Sequence, residues 1–147
     1  MNIAFFLTPK HEIVTLRESM TLRQAMEKME YHKYSAVPVI DNEGRYQYTL
    51  SEGDVLWHIK DHMDLSLKNS EAVNINQIKR SRNIEAVSIN EDIEVVLDLT
   101  RYQNFIPVVD DTGIFIGIIR RSDMMANHFE YEGIKKQKKL QLKWAEA

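Results

Sequence analysis

Residues 36–54, AVPVIDNEGRYQYTLSEGD, and residues 105–123, FIPVVDDTGIFIGIIRRSD, align without a gap at an offset of 69 positions. Pro38 and Pro107, Val39 and Val108, Asp41 and Asp110, Gly44 and Gly113, and Asp54 and Asp123 are identical pairs. Other positions keep their character, as in Val37 with Ile106, Tyr46 with Phe115 and Leu50 with Ile119. An internal repeat of this length constrains the fold more than any single motif. Each copy must form the same local unit and bury the same face.

The segments upstream correspond as well, with small changes of length. Leu22, Ala25, Met26 and Met29 recur at i, i+3, i+4 and i+7, one apolar face of a helix, and Ile93, Val96 and Leu97 repeat the first three. Thr21 precedes the first helix as an N-cap, and Asn90 or Asp92 precedes the second. Before each helix lies a strand-like piece, EIVTL at 12–16 and EAVSI at 85–89. DNEG (41–44) and DDTG (110–113) have the Asx and Gly residues of tight reversals between strands. Pro38 and Pro107 place the start of their strands on an edge or at a break in the ladder. Final helices are expected from near Glu52 and near Arg121.

Each half therefore reads strand, helix, strand, turn, strand, helix, an α/β (α+β) arrangement. The predicted organisation is a first repeat over 8–60, a connector over 61–83 with a short helix around Ile75–Arg80, a second repeat over 84–129 and a basic tail over 130–147. Neither half has enough apolar surface to stand alone. The two are expected to pack as one pseudo-twofold unit with clefts between equivalent strand ends.

Composition narrows the function. Of the 147 residues, 44% are hydrophobic and 28% charged, the balance of an ordinary soluble domain. A net charge of −3 gives no global attraction to polyanions, and the basic runs lack interleaved aromatics, so nucleic acid is an unfavoured partner. Without cysteine there is no disulfide or thiolate chemistry. MNIAFFLTPKHE lacks a basic n-region, and no apolar run reaches the roughly 20 residues of a membrane span, so a cytoplasmic, non-membrane protein is expected. No nucleophile elbow, P-loop or acid pair points to an enzyme. His58 and His62 stand at i, i+4 without a third ligand and read as exposed histidines, so no metal site is assigned. Five lysines and Trp144 make 132–147 a basic helix for a partner or dimer mate, or a frayed end.

This pattern resembles the tandem cystathionine-beta-synthase (CBS) domain pair, or Bateman module, over roughly residues 8–129. The segments VPVID and IPVVD carry the likeness, with the strand ends YTLSEGD and GIIRRSD. There the family has Gly, two apolar residues, Ser or Thr, two further residues and Asp. The second copy keeps Gly117 and Asp123 but has Arg120 at the hydroxyl position; the first keeps Ser51 and Asp54 but has Tyr48 in place of glycine.

The resemblance implies a stand-alone regulatory sensor, commonly homodimeric, that binds an adenine nucleotide such as AMP, ADP, ATP or cyclic di-AMP and signals to a partner protein. The nucleotide is a regulatory ligand rather than a cofactor. Asp54 and Asp123 would accept hydrogen bonds from ribose hydroxyls, while Ser51, Arg120 and Arg121 would hold phosphate beside a helix start. Thr15, Ala36, Val37 and Pro38 on one side and Ser88, Ile106 and Pro107 on the other would line the base slot, with Arg82 near the phosphates. The alternative is a ligand-free interaction scaffold, with Tyr48 filling a cleft and Arg120 paired to Asp123 or Glu52.

Overall fold

The computed structural model describes residues 2–62, 64, 66 and 68–146. In the first repeat, strand β2 (Leu16–Arg17) leads to helix α1 (Leu22–His32), strands β3 (Ala36–Ile40) and β4 (Tyr46–Ser51), and helix α2 (Glu52–Asp61). The second repeats the order with β5 (Val87–Ser88), α3 (Ile93–Leu99), β6 (Phe105–Val109), β7 (Phe115–Arg120) and α4 (Arg121–Glu146). A further strand, β1 (Leu7–Pro9), precedes them all.

Local signals set the helix starts. Thr21 accepts from the Gln24 amide while the Gln24 side chain accepts from the Thr21 amide, a capping box that satisfies two otherwise unpaired donors. Ser51 and Asp54 form the same reciprocal pair at α2. Asp92 occupies the cap position of α3 but makes no side-chain cap bond. At the two reversals, Gly44 and Gly113 have φ of +85° and +87°, which glycine adopts without strain. Asp41 and Asp110 accept from the amides that follow them. Thr112 holds the Asp110 carboxyl below the ordinary carboxylate range, chiefly through its hydroxyl.

The two sheets run β2–β3–β4 and β1–β7–β6–β5. β3 and β6 are central, yet each parallel neighbour pairs only with the last two residues, Val39–Ile40 and Val108–Val109. Pro38 and Pro107 thus lie beyond the end of a ladder, where a missing N–H costs nothing. Equivalent residues meet at the pseudo-twofold axis. Arg45 bridges Ile114, the Phe115 amide donates to the Gly44 carbonyl at 2.9 Å, and the rings of Tyr46 and Phe115 stack at 6.3 Å. Ile40, Phe115 and Ile118 form the apolar seam between the sheets.

Each repeat's core is completed by the segment leading into the other. Ile3 and Phe6 bury themselves among Val96, Ile106 and Ile119, and β1 pairs antiparallel with β7 from Leu7–Ile119 to Pro9–Gly117. Ile75 and Ile78, expected in a polar connector, are buried among Leu16, Leu22, Val37 and Leu50. The expected helix there is a short 3-10 turn over Ile75–Gln77. It is tied to the first repeat by the Ile75 amide on the Met20 carbonyl and the Leu22 amide on the Val73 carbonyl.

Helix α4 runs unbroken for 26 residues, so the basic tail continues it, with Leu140, Leu142 and Trp144 more than half exposed. Tyr31 and Tyr34 do not pack into the helix–strand corner as their aromatic character would predict; Tyr31 is 84% exposed, and Tyr34 stacks on His32. Among the described residues, no helix is long and apolar enough to cross a membrane.

Candidate functional site

Two clefts open between the repeats, related by the pseudo-twofold axis. The larger, about 1000 Å³, lies at the start of α2 and takes in Ser51 and Asp54 from the first repeat and Arg101–Phe105 and Arg121 from the second, with Ser81–Ile84, where the connector enters the second repeat, as its third wall. The smaller, about 190 Å³, lies at the start of α4 between Ile13, Val14 and Ala36 on one side and Phe105, Arg120 and Ser122 on the other.

Asp54 is the centre of the larger cleft. It is 2% exposed, yet every side-chain oxygen is partnered. One carboxylate oxygen accepts the Ser51 amide at 3.0 Å; the other accepts both the Ser81 amide at 2.8 Å and the Ser81 hydroxyl at 2.9 Å. The Ser51 hydroxyl is itself occupied by the Asp54 amide at 3.1 Å. Burial of a carboxylate requires such partners, because an unpaired one would lose its hydration uncompensated.

Three arginines line the same cleft: Arg82, Arg101 and Arg121. Arg121 is held by its Nε, which donates to the Thr100 carbonyl at the end of α3 at 2.7 Å, and by its amide on the Asn104 carbonyl. Arg101 touches Asp98 at 3.5 Å in a solvent-exposed pair, which fixes it little. Gln103 is 4% exposed and its amide group acts as a strand edge. It accepts from the Glu85 amide and donates to the Glu85 and Phe105 carbonyls, fastening the entry of the second repeat to β6.

The cleft floor is also tied to the connector through Tyr46. Its hydroxyl donates to the Ile84 carbonyl at 2.9 Å and lies 2.9 Å from the Thr49 hydroxyl. Burial pushes this phenol up to about 12. Tyr48, the residue in place of the motif glycine, lies outside both clefts. Its hydroxyl donates to Asn76 Oδ1 and its ring carries the Arg80 guanidinium at 4.0 Å.

Of the sequence-predicted residues, the larger cleft brings together Ser51, Asp54, Ala36, Arg82 and Arg121. The smaller brings together Ala36, Pro38 and Arg120. Thr15, Val37, Ser88, Ile106, Pro107 and Asp123 line neither. Val37 and Ile106 point into the two cores instead. The Thr15 carbonyl accepts the Lys28 ammonium at 2.8 Å, and the Ser88 hydroxyl accepts the Asn90 amide. Arg120 makes no ion pair among the described residues. Ser81, Gln103, Trp57 and Tyr102 belong to the larger cleft but were not singled out by the motif.

His58 and His62 stack ring on ring at 4.1 Å, and the His58 ring is held below its usual range by partial burial and by His62. Among the described residues no group of three metal-ligating side chains gathers.

The CBS domain family model matches the chain twice, over residues 6–61 and 75–129, and the chain belongs to that family as a tandem pair. No curated protein matches the sequence. Among solved structures it is similar to a CBS domain protein from Streptococcus pneumoniae TIGR4, at 28% identity over 87% of this chain and 86% of that one, with a TM-score of 0.77. It shares the fold of CbpB from Listeria monocytogenes, solved in complex with c-di-AMP, at 18% identity over 91% and 99% with a TM-score of 0.75. It also shares the fold of CBSX2, solved in complex with AMP, at 20% identity over 89% and 98% with a TM-score of 0.70.

Proposed function

We propose that the chain is a regulatory nucleotide sensor: an adenine nucleotide (AMP, ADP, ATP or cyclic di-AMP) enters the larger cleft, and binding alters how the pair, as a homodimer, meets a partner protein. The observation that carries this is the setting of Asp54, a buried carboxylate that accepts a hydroxyl and an amide from the cleft side in a cleft lined by three arginines. A ribose offers two adjacent hydroxyls to the same oxygens, exchanging for Ser81, while the phosphates fall to Arg82 and Arg121. Solved CBS pairs holding AMP and c-di-AMP support the same ligand class. Displacing Ser81 would release that point of the connector from Asp54, so the bound and unbound arrangements differ in a defined contact. The ligand then shifts the equilibrium by its difference in affinity for the two.

The test is calorimetric titration of AMP, ADP, ATP and cyclic di-AMP into the wild type, Asp54→Asn and Arg82→Ala. One of the four should bind, with a loss of about tenfold or more in each variant, the size of a lost charge-assisted hydrogen bond. A second reading, a ligand-free scaffold, is favoured by the fact that Ser81 already fills Asp54. Against it, Arg120 lacks the internal ion pair that reading requires, and Tyr48 fills neither cleft. Well-folded protein that binds none of the four nucleotides would establish the scaffold.

A further inference from the structure

The two clefts share one backbone plan but not one lining. Trp57 on α2 and Tyr102 before β6 both line the larger cleft, one from each repeat, and are 53% and 71% exposed. At the equivalent positions of the other cleft stand Ala126, at the same offset of 69 in α4, and Lys33, three residues before β3 as Tyr102 is three before β6. In the repeat Arg121 aligns with Glu52, which lines the larger cleft too, and Ser51 aligns with Arg120, which lines the smaller. The fold does not require two exposed aromatics here, since the smaller cleft is lined by one, Tyr34, which is 37% exposed. Neither ring is spent on the core. Trp57 has the Lys60 ammonium 5.7 Å from its ring centroid, an exposed contact of little worth. Each leaves a broad apolar face in a cleft that carries three arginines beside Glu52 and Asp54.

The volumes point the same way. A cleft of about 1000 Å³ sits at the upper end of the range for small-molecule sites, whereas a mononucleotide needs far less room. Asp54 is buried at one end of the cleft, where Ser81 of the connector meets it, which leaves the exposed aromatics for a second flat group. Exposed rings beside arginines form the combination on which unpaired bases stack, and stacking accepts any base because each has a π-face.

We infer that Trp57 and Tyr102 form a second base-binding subsite, so that the larger cleft takes a ligand with two bases joined through phosphate, a dinucleotide, in preference to a mononucleotide. This rests on the nucleotide reading above and specifies its ligand class. One nucleoside engages the Asp54 end, the bridging phosphates meet the arginines, and the second base lies on the exposed rings.

The chain has two tryptophans, Trp57 and Trp144, so Trp144→Phe leaves Trp57 as a local reporter. In that background, Trp57 fluorescence and calorimetry are followed while AMP, linear adenylyl-adenosine monophosphate or cyclic di-AMP is added, and calorimetry is repeated on Trp57→Ala and Tyr102→Ala. A dinucleotide should bind more tightly than AMP and quench Trp57. Either substitution should weaken the dinucleotide about tenfold or more, the range for one lost base–aromatic stack, while changing AMP less than about twofold. Wild type binding AMP as tightly as either dinucleotide, or variants losing AMP and dinucleotide alike, would overturn the subsite and leave the sensor reading intact. A change of oligomeric state in Trp57→Ala with unaltered dinucleotide affinity would overturn it too, assigning the ring to a subunit contact. Absence of binding by all three ligands, and by ADP and ATP, removes both readings together.

Discussion

Ser81 donates its backbone N–H and its hydroxyl to the same oxygen of Asp54, 27 residues earlier in the chain. The cap of one helix and the entry to the other repeat are thereby joined through a single buried carboxylate. Asp54→Ala removes the N3 half of the α2 capping box and leaves three donors, the Ser51 amide and the Ser81 amide and hydroxyl, without their acceptor, and should lower stability by about 2–3 kcal/mol, read as a fall in the thermal midpoint. Ser81→Ala removes only one neutral donor and should cost about 1 kcal/mol. By removing a competitor for the carboxylate, it should also tighten nucleotide binding in calorimetry; unchanged or weaker binding would show that Ser81 does not compete with the ligand.

Gly117 is required for close approach rather than for chain freedom. A Cβ built there would sit 2.3 Å from the Thr8 carbonyl oxygen, against backbone that has no room to yield. Gly117→Ala should therefore detach β1 from β7, exposing Ile3 and Phe6. Hydrogen exchange should show loss of protection confined first to residues 7–9 and their partners on β7. Gly113→Ala meets no atom within 4 Å but has φ of +87°, so it should cost about 1–2 kcal/mol and leave β1 protected.

The raised phenol of Tyr46 gives a pH signature. Its folded value of about 12 exceeds the ordinary value of 10, so its contribution is complete below about pH 10 and fades as pH rises towards 12. Tyr48 is raised to about 12 as well, again by burial. Alkaline absorbance titration should resolve two late tyrosines among the six, and Tyr46→Phe should remove one of them. If Tyr46→Phe leaves both late transitions in place, the Tyr46 phenol is not buried in solution.

Gln103 supplies what a strand would otherwise supply to Glu85. Gln103→Leu keeps the volume but leaves the Glu85 amide and carbonyl unpaired, at a cost of about 2–3 kcal/mol. The loss should appear both in denaturant unfolding and as faster exchange of the Glu85 amide. An unchanged midpoint would mean that water replaces the side chain at no cost.

What could be read in advance were features written within a few residues. Thr21 with Gln24 announces a capping box, and the Asp-x-x-Gly turns announce reversals at 41–44 and 110–113. The repeat announces two equivalent halves. The base slot is legible only in part, because Val37 and Ile106 stand directly beside residues that do reach the clefts. Period-two alternation separates them: Val37 with Val39, and Ile106 with Val108, face the cores, whereas Ala36, Pro38 and Phe105 reach the clefts. Ser81 left no mark, since a hydroxyl among loop cations has no pattern of its own. Nor did the burial of Ile75 and Ile78, two apolar residues in a polar stretch whose partners stand more than twenty residues away.

The crossing of residues 3–9 to the far sheet bears on how the molecule comes to exist. During vectorial synthesis the segment that completes the second repeat emerges before either repeat, while its partner strand, residues 115–120, is made more than a hundred residues later. The first repeat can collapse once residues 75–78 are out, but Ile3, Phe6 and β1 have to wait, exposed, for β7. High contact order of this kind slows folding and leaves an apolar segment available to chaperones or to a neighbouring nascent chain. The same arrangement makes the chain a candidate for exchange of its leading strand between two copies, each lending β1 to the other's β7.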